Sequence, residues 1–158
     1  MLSSTVRKKS RVVTGRVNLK MSSGEAKNKE QVEKVFRRLL KGGPMRRMPK
    51  SRGDLQVFLA LAASALDPQT QYDEPELNEG LIEWMTGFTD LVVMDHVTIR
   101  RYLVDYAYLL RDNPGTRYKT NQTMINTVIQ PEARSTLPLV LLEEIQHDQA
   151  HRRRVNSP

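Results

Sequence analysis

Residues 54–66, DLQVFLALAASAL, are apolar on nearly every side of a helix, and no other stretch constrains the fold as tightly. Leu55, Val57, Phe58, Leu59, Leu61 and Leu66 are interspersed with Ala60, Ala62, Ala63 and Ala65. Such a helix has no face to give to water, so it must lie at the centre of a packed unit. It is too short to span a membrane, which takes about 20 apolar residues. Asp67-Pro68 ends it.

Upstream, Val32, Val35, Phe36, Leu39 and Leu40 recur at spacings of three and four, the mark of an amphipathic helix. Gly42-Gly43-Pro44 stops that helix. Downstream, residues 70–72 form a short extended run. Asp73 and Glu76 make a capping box for a helix with Pro75 in its first turn and an apolar face of Leu77, Leu81, Ile82 and Met85. A loop near residues 87–93 leads to a second N-cap, Asp95. The helix it starts is expected to run to residue 110, with Ile99, Leu103, Tyr106 and Leu110 as its buried stripe. Asn113-Pro114-Gly115 is a turn and residues 116–120 a short strand.

Helix, short strand, helix, helix, turn, strand is the outline of a winged helix, a helix-turn-helix with a β-hairpin wing. The expected fold is therefore mainly α. A winged-helix-like domain with a short β wing occupies residues 44–120, flanked by an N-terminal helix in residues 25–43 and a C-terminal helix in residues 136–158. Residues 121–135 are expected as a loop and residues 1–24 as a flexible basic arm.

Charge is distributed unevenly. Of 158 residues, 27% are charged and the formal net charge is +7. Residues 1–52 hold sixteen of the 25 Lys and Arg and only three acids, a local net of +13. The rest of the chain carries a net of −6. A basic front on a mildly acidic body points to a polyanionic partner for the front, through counterion release from phosphates.

Several function classes are set aside. There is no cysteine, hence no disulfide, thiol nucleophile or thiolate zinc site. No apolar run approaches a membrane span, and the start lacks the apolar core of a signal peptide, although its acid-free, basic composition is shared with transit peptides. The expectation is a cytoplasmic protein without a membrane partner. Glu144, His147 and His151 share a helical face, and residues 147–151 mimic a zincin motif with Asp in place of Glu, but no third convergent ligand accompanies them. Gly42-Gly43 lacks the rest of a phosphate loop. The carboxylates of residues 73–83 sit at helical spacing without a cleft. Met45, Met48, Met85 and Met94 read as core filler. No catalytic residue, metal or cofactor is expected, and the chain is not read as an enzyme.

Residues 95–106, DHVTIRRYLVDY, carry a resemblance. They are similar to an uncharacterised bacterial domain of unknown function, found alone or attached to regulators of transcription. Its pattern is approximately D-x-x-T-[IL]-R-R-x-L-V-D-x-x-x-L-x-R, then a turn and a Tyr-rich strand. Arg111 and Tyr118 fall at the last two features. Pro49-Lys50-Ser51-Arg52 resembles the basic lead into that domain's first helix, and Tyr72 to Glu79 resembles its Y-[ST]-E-x-E-[VL]-N element. The loop before Asp95 is longer here, and both chain ends extend beyond the resemblance. It covers about half of the chain and implies a winged-helix-type fold with a regulatory association.

On a wheel of 100° per residue with Ile99 inward, Val97, Arg101, Val104 and Tyr108 face outward. A recognition helix would thus offer Arg101 to a base edge and Thr98 and Arg100 to bases or phosphate. Arg117 and Lys119 on the wing would meet the backbone, and Arg46, Arg47, Lys50 and Arg52 would neutralise flanking phosphates. An i,i+4 pair of Arg101 with Asp105 on a solvated helix explains the same residues without DNA. The expected function is nucleic-acid binding, DNA before RNA, in a regulator of transcription. The alternative is a protein–protein module or ribonucleoprotein subunit whose arm contacts RNA or an acidic partner. Outward Val97 and Val104 suit that alternative. The C-terminal helix either closes the core or joins a homodimer or larger assembly.

Overall fold

The computed structural model describes residues 25–157; the arm of residues 1–24 lies outside them. It contains α1 (Lys29–Leu39), α2 (Arg52–Ser64), α3 (Glu74–Met85), α4 (His96–Asp105), β1 (Leu109–Arg111), β2 (Tyr118–Thr120), α5 (Gln122–Val128), a 3-10 helix (Pro131–Ser135) and α6 (Pro138–Val155). The chain is mainly helical with one small antiparallel hairpin, an order compatible with a winged-helix-like fold. Among the described residues, no helix is long and apolar enough to cross a membrane.

The central position of α2 follows from its composition. Val57, Phe58, Leu59, Ala60, Ala62 and Ala63 are fully buried. α2 packs against α5, α1 and α4. Phe36 of α1 stacks on Phe58 at 6.1 Å between ring centroids, and Trp84 meets Phe58 and Phe88 edge-on at 5.3 and 4.9 Å. Non-directional burial thus gains a geometric register. Gly80 lets α3 come close to the end of α2, because a Cβ there would lie 2.8 Å from Leu66 Cδ2.

Local chemistry sets the helix starts. The Asp73–Glu76 capping box forms with both hydrogen bonds at 2.9 Å. Asn28 and Gln31 make the same motif at α1, again at 2.9 Å. Ser51 caps α2 and Asp95 caps α4.

In the hairpin, Leu109 pairs with Thr120 and Arg111 with Tyr118. Tyr72, from the expected extended run, adds a bridge on the far side of β2, exchanging backbone hydrogen bonds with Tyr118 at 2.7 and 2.8 Å.

Two expectations are corrected. α4 stops at Asp105 instead of reaching residue 110. Ala107 turns left-handed at φ 67°, the Tyr108 N–H donates to Leu103 O at 2.8 Å, and the Ala107 N–H donates to Val104 O at 3.1 Å. These two bonds satisfy carbonyls that the helix end leaves open. The buried stripe changes accordingly: Tyr108, expected outside, is fully buried, while Tyr106 and Leu110 are 37% and 42% exposed.

The expected loop of residues 121–135 is instead α5 and the 3-10 helix. Asn121 caps α5, and Ile125, Val128 and Ile129 bury one face. Arg134 ties the 3-10 helix to α5 through Gln122 and Asn126, both at 2.6 Å.

The flanking helices join the same packing. Lys27 bridges Ile129 in parallel, α1 packs on α6 and on the 3-10 helix, and Leu141 and Leu142 join the common core. Leu137 and Val140, by contrast, remain 61% and 42% exposed.

Candidate nucleic-acid interface

The first element of the candidate site is α4. The Asp95 carboxylate accepts the Thr98 N–H at 2.8 Å. Hydrogen bonding from Thr98, through its backbone and then its hydroxyl, holds the Asp95 carboxyl below its usual range. Thr98 is half-buried and its N–H is spent on this cap. Arg100 is drawn inward: Nη1 donates to Asn78 Oδ1 at 2.6 Å and lies 3.3 Å from Glu74 Oε2, with 18% of the side chain exposed. Arg101 faces solvent, and no ion pair with Asp105 forms. Of the outward residues, Val97 is 38% exposed and Val104 half-buried.

The hairpin is the second element. Residues directly opposite in a ladder point to one face of the sheet, and the next pair points to the other. Leu109, Arg111, Tyr118 and Thr120 therefore face the body of the protein, and Leu110 and Lys119 face away. The ends of the inward set meet α4: Val97, Arg100, Arg101, Val104, Asp105, Arg111 and Tyr118 line one cleft. Arg117 and Lys119, with Gln71 and Leu110, line a second concavity that also touches Arg111. The turn between the strands is braced by Asp112, whose carboxylate accepts the N–H groups of Thr116 and Arg117 at 2.8 and 3.0 Å.

The connector is the third element. The Met45 N–H donates to Phe88 O at 2.9 Å, and Met45 O accepts the Asp90 N–H at 2.8 Å, which fastens the connector to the loop before α4. Arg46 then lies 3.5 Å from Asp90. Arg47 and Lys50 are exposed and share a groove with Arg46 and Arg38, while Arg52 is the exposed first residue of α2. Arg38 is held by Asp54 at 2.5 Å.

The nine expected contact residues thus separate. Arg101 joins the hairpin, with Arg117 and Lys119 on its other side. Arg46, Arg47 and Lys50 gather in a separate groove, and Arg52 stands exposed at the start of α2. Thr98 and Arg100 are engaged internally. Arg111 is the residue that charge reading alone overlooked as a contact; recognising Leu109–Arg111 as a strand would have placed it on the α4 side by alternation. Near α6, Glu144 pairs with Arg37 at 2.6 Å, and His147 lies beside Asp148 at 3.8 Å.

No curated protein and no solved structure matches this chain. One family model does, over residues 44–120, just under half of the chain: a family described as an uncharacterized protein conserved in bacteria (DUF2087). The matched stretch runs from the connector to the end of β2, so every candidate contact residue above falls inside it, and in that stretch the chain is similar to an uncharacterised bacterial domain.

Proposed function

We propose that this protein binds nucleic acid, duplex DNA foremost, as a cytoplasmic winged-helix regulator of transcription. One observation carries the proposal: α4 and the hairpin share a cleft rimmed by Arg101 and Arg111, with Arg117 and Lys119 on the outer side of the same hairpin. Among the described residues none of these four cations is in an ion pair, so their charge is available to phosphate. The cleft carries one carboxylate, Asp105, against the guanidinium groups of Arg101 and Arg111, while the third, Arg100, is turned to Glu74 and Asn78. Arg101 is the group suited to a guanine edge, and the hairpin cations suit the backbone. The basic connector and the Lys- and Arg-rich residues 1–24 extend the positive footprint.

The test is mobility shift of the full chain on duplex DNA across a range of salt. Binding should weaken steeply with salt, with a slope of about −0.9 in log–log terms for each phosphate contacted. Charge reversal at Arg101 and Arg111 together should lower affinity at least tenfold. Affinity indifferent to salt, or to that double reversal, rejects the proposal.

A protein–protein role is favoured by a different observation, the exposure of Val97, Leu137, Leu139 and Val140. It is separated by pull-down with and without nuclease. A partner retained after nuclease supports it.

A further inference from the structure

Arg100 and Arg101 are adjacent and identical in charge, yet α4 sends them to different surroundings. One residue along a helix turns the side chain by 100°, enough to move from a solvent face to a helix–helix seam. Arg101 rims the open cleft. Arg100 crosses to α3, where Asn78 accepts from its Nη1 at 2.6 Å and Glu74 lies 3.3 Å away. Glu74 and Asn78 are four residues apart, hence neighbours on one face of α3. Both contacts fall on the one nitrogen Nη1, so the lock is a charge-assisted hydrogen bond to Asn78 with the Glu74 carboxylate alongside. The rest of the α3–α4 seam is apolar, with Leu77, Leu81, Ile99 and Leu103 buried. Apolar burial is non-directional and tolerates sliding or rotation of one helix on the other. The Glu74–Arg100–Asn78 contact does not.

We infer that Arg100 is a positioning residue: it locks α4 on α3 and so fixes the angle at which Arg101 and the hairpin meet DNA, without itself touching DNA. The lock stands on the geometry alone, and its consequence for binding rests on the function proposed above.

Two experiments on the full chain separate these layers. The first is a thermal-unfolding cycle of Arg100→Ala, Asn78→Ala and the double variant. Each single change should lower Tm by about 2–4 °C, the shift expected of one such contact in a chain of this size, and the double should lose less than the sum. Strict additivity overturns the lock, whether or not DNA binds. The second is the salt dependence of duplex binding. Lys119→Ala, on the hairpin, should reduce the slope by about 0.9, the signature of one phosphate contact. Arg100→Ala should weaken binding severalfold with the slope unchanged, and Asn78→Ala, which breaks the lock but removes no cation, should do the same. Asn78→Ala with wild-type affinity, or a slope reduced by Arg100→Ala, overturns the positioning role. Absence of binding by the unaltered chain removes the nucleic-acid proposal and the positioning role together, while the unfolding cycle still decides the lock.

Discussion

Ala107 and Tyr108 bear the cost of turning α4 into the hairpin. At φ 67° the Ala107 Cβ crowds its own backbone, a penalty that glycine avoids. Ala107→Gly should therefore stabilise the fold by about 0.5 kcal/mol net once the greater freedom of the unfolded glycine chain is subtracted, read as a higher denaturant midpoint. A lower midpoint would show that Ala107 contributes packing that outweighs its strain. Tyr108 poses a different problem: its ring is fully buried and its Oη has no hydrogen-bond partner among the described residues. Tyr108→Phe removes an unmet polar group while leaving the ring, and should stabilise by about 1 kcal/mol. Burial also pushes the Tyr108 phenol above its ordinary value. The folded state thus resists ionisation that the unfolded chain accepts, so the stability held below about pH 10 declines as pH rises past that value. The phenylalanine variant should lose less stability between neutral pH and about pH 11, measured by chemical denaturation.

At the scale of elements, starts were easier to read than ends. Asp73, Asp95 and the Asp54–Leu66 run announce their helices because capping and apolar content are local properties. The end of α4 is not local. It depends on Tyr108 finding a buried place beside Leu103 and on Asn121, whose N–H donates to Tyr108 O at 2.9 Å and whose side chain donates to Ala107 O at 2.8 Å. A wheel extended past Asp105 cannot contain that information, and it misplaces Tyr106, Tyr108 and Leu110 and passes over Arg111 as a contact. α5 was legible in principle, since Ile125, Val128 and Ile129 recur at spacings of three and four, but seven residues among polar neighbours give a weak period. The hairpin offers a test at this scale. Asp112 is held below the usual carboxylate range, first by the Arg117 N–H. Its contribution is therefore present above the unfolded value, near pH 4, and is lost as pH falls through the depressed folded one. Asp112→Asn should flatten that acid loss and speed amide exchange at Arg117, which the carboxylate protects. Unchanged exchange would mean that the strand pairing alone shapes the turn.

At the scale of the whole molecule, the family match and the physical unit do not coincide. Residues 44–120 hold α2, α3, α4 and the hairpin, yet α2 makes its principal contacts with α5 and also packs on α1, both outside that range. A helix buried on all sides cannot lose two of its neighbours without exposing a large apolar face. Phe58 would lose Phe36, and the chain would lose Val32, Leu40, Ile125 and Ile129 from the same core. The parallel bridge of Lys27 with Ile129 ties the two flanking segments to each other, so they fold as one cover over α2. A fragment of residues 44–120 should accordingly bind a hydrophobic dye and unfold without a sharp transition, whereas residues 25–157 should melt in a single cooperative step. Adding back residues 25–43 alone should not suffice, since α5 would still be missing. A fragment 44–120 that melts cooperatively and shows native-like dispersion of its methyl resonances would require α2 to be capped by its own unit, and would make the flanking helices an accessory to the candidate interface rather than part of the scaffold that holds it.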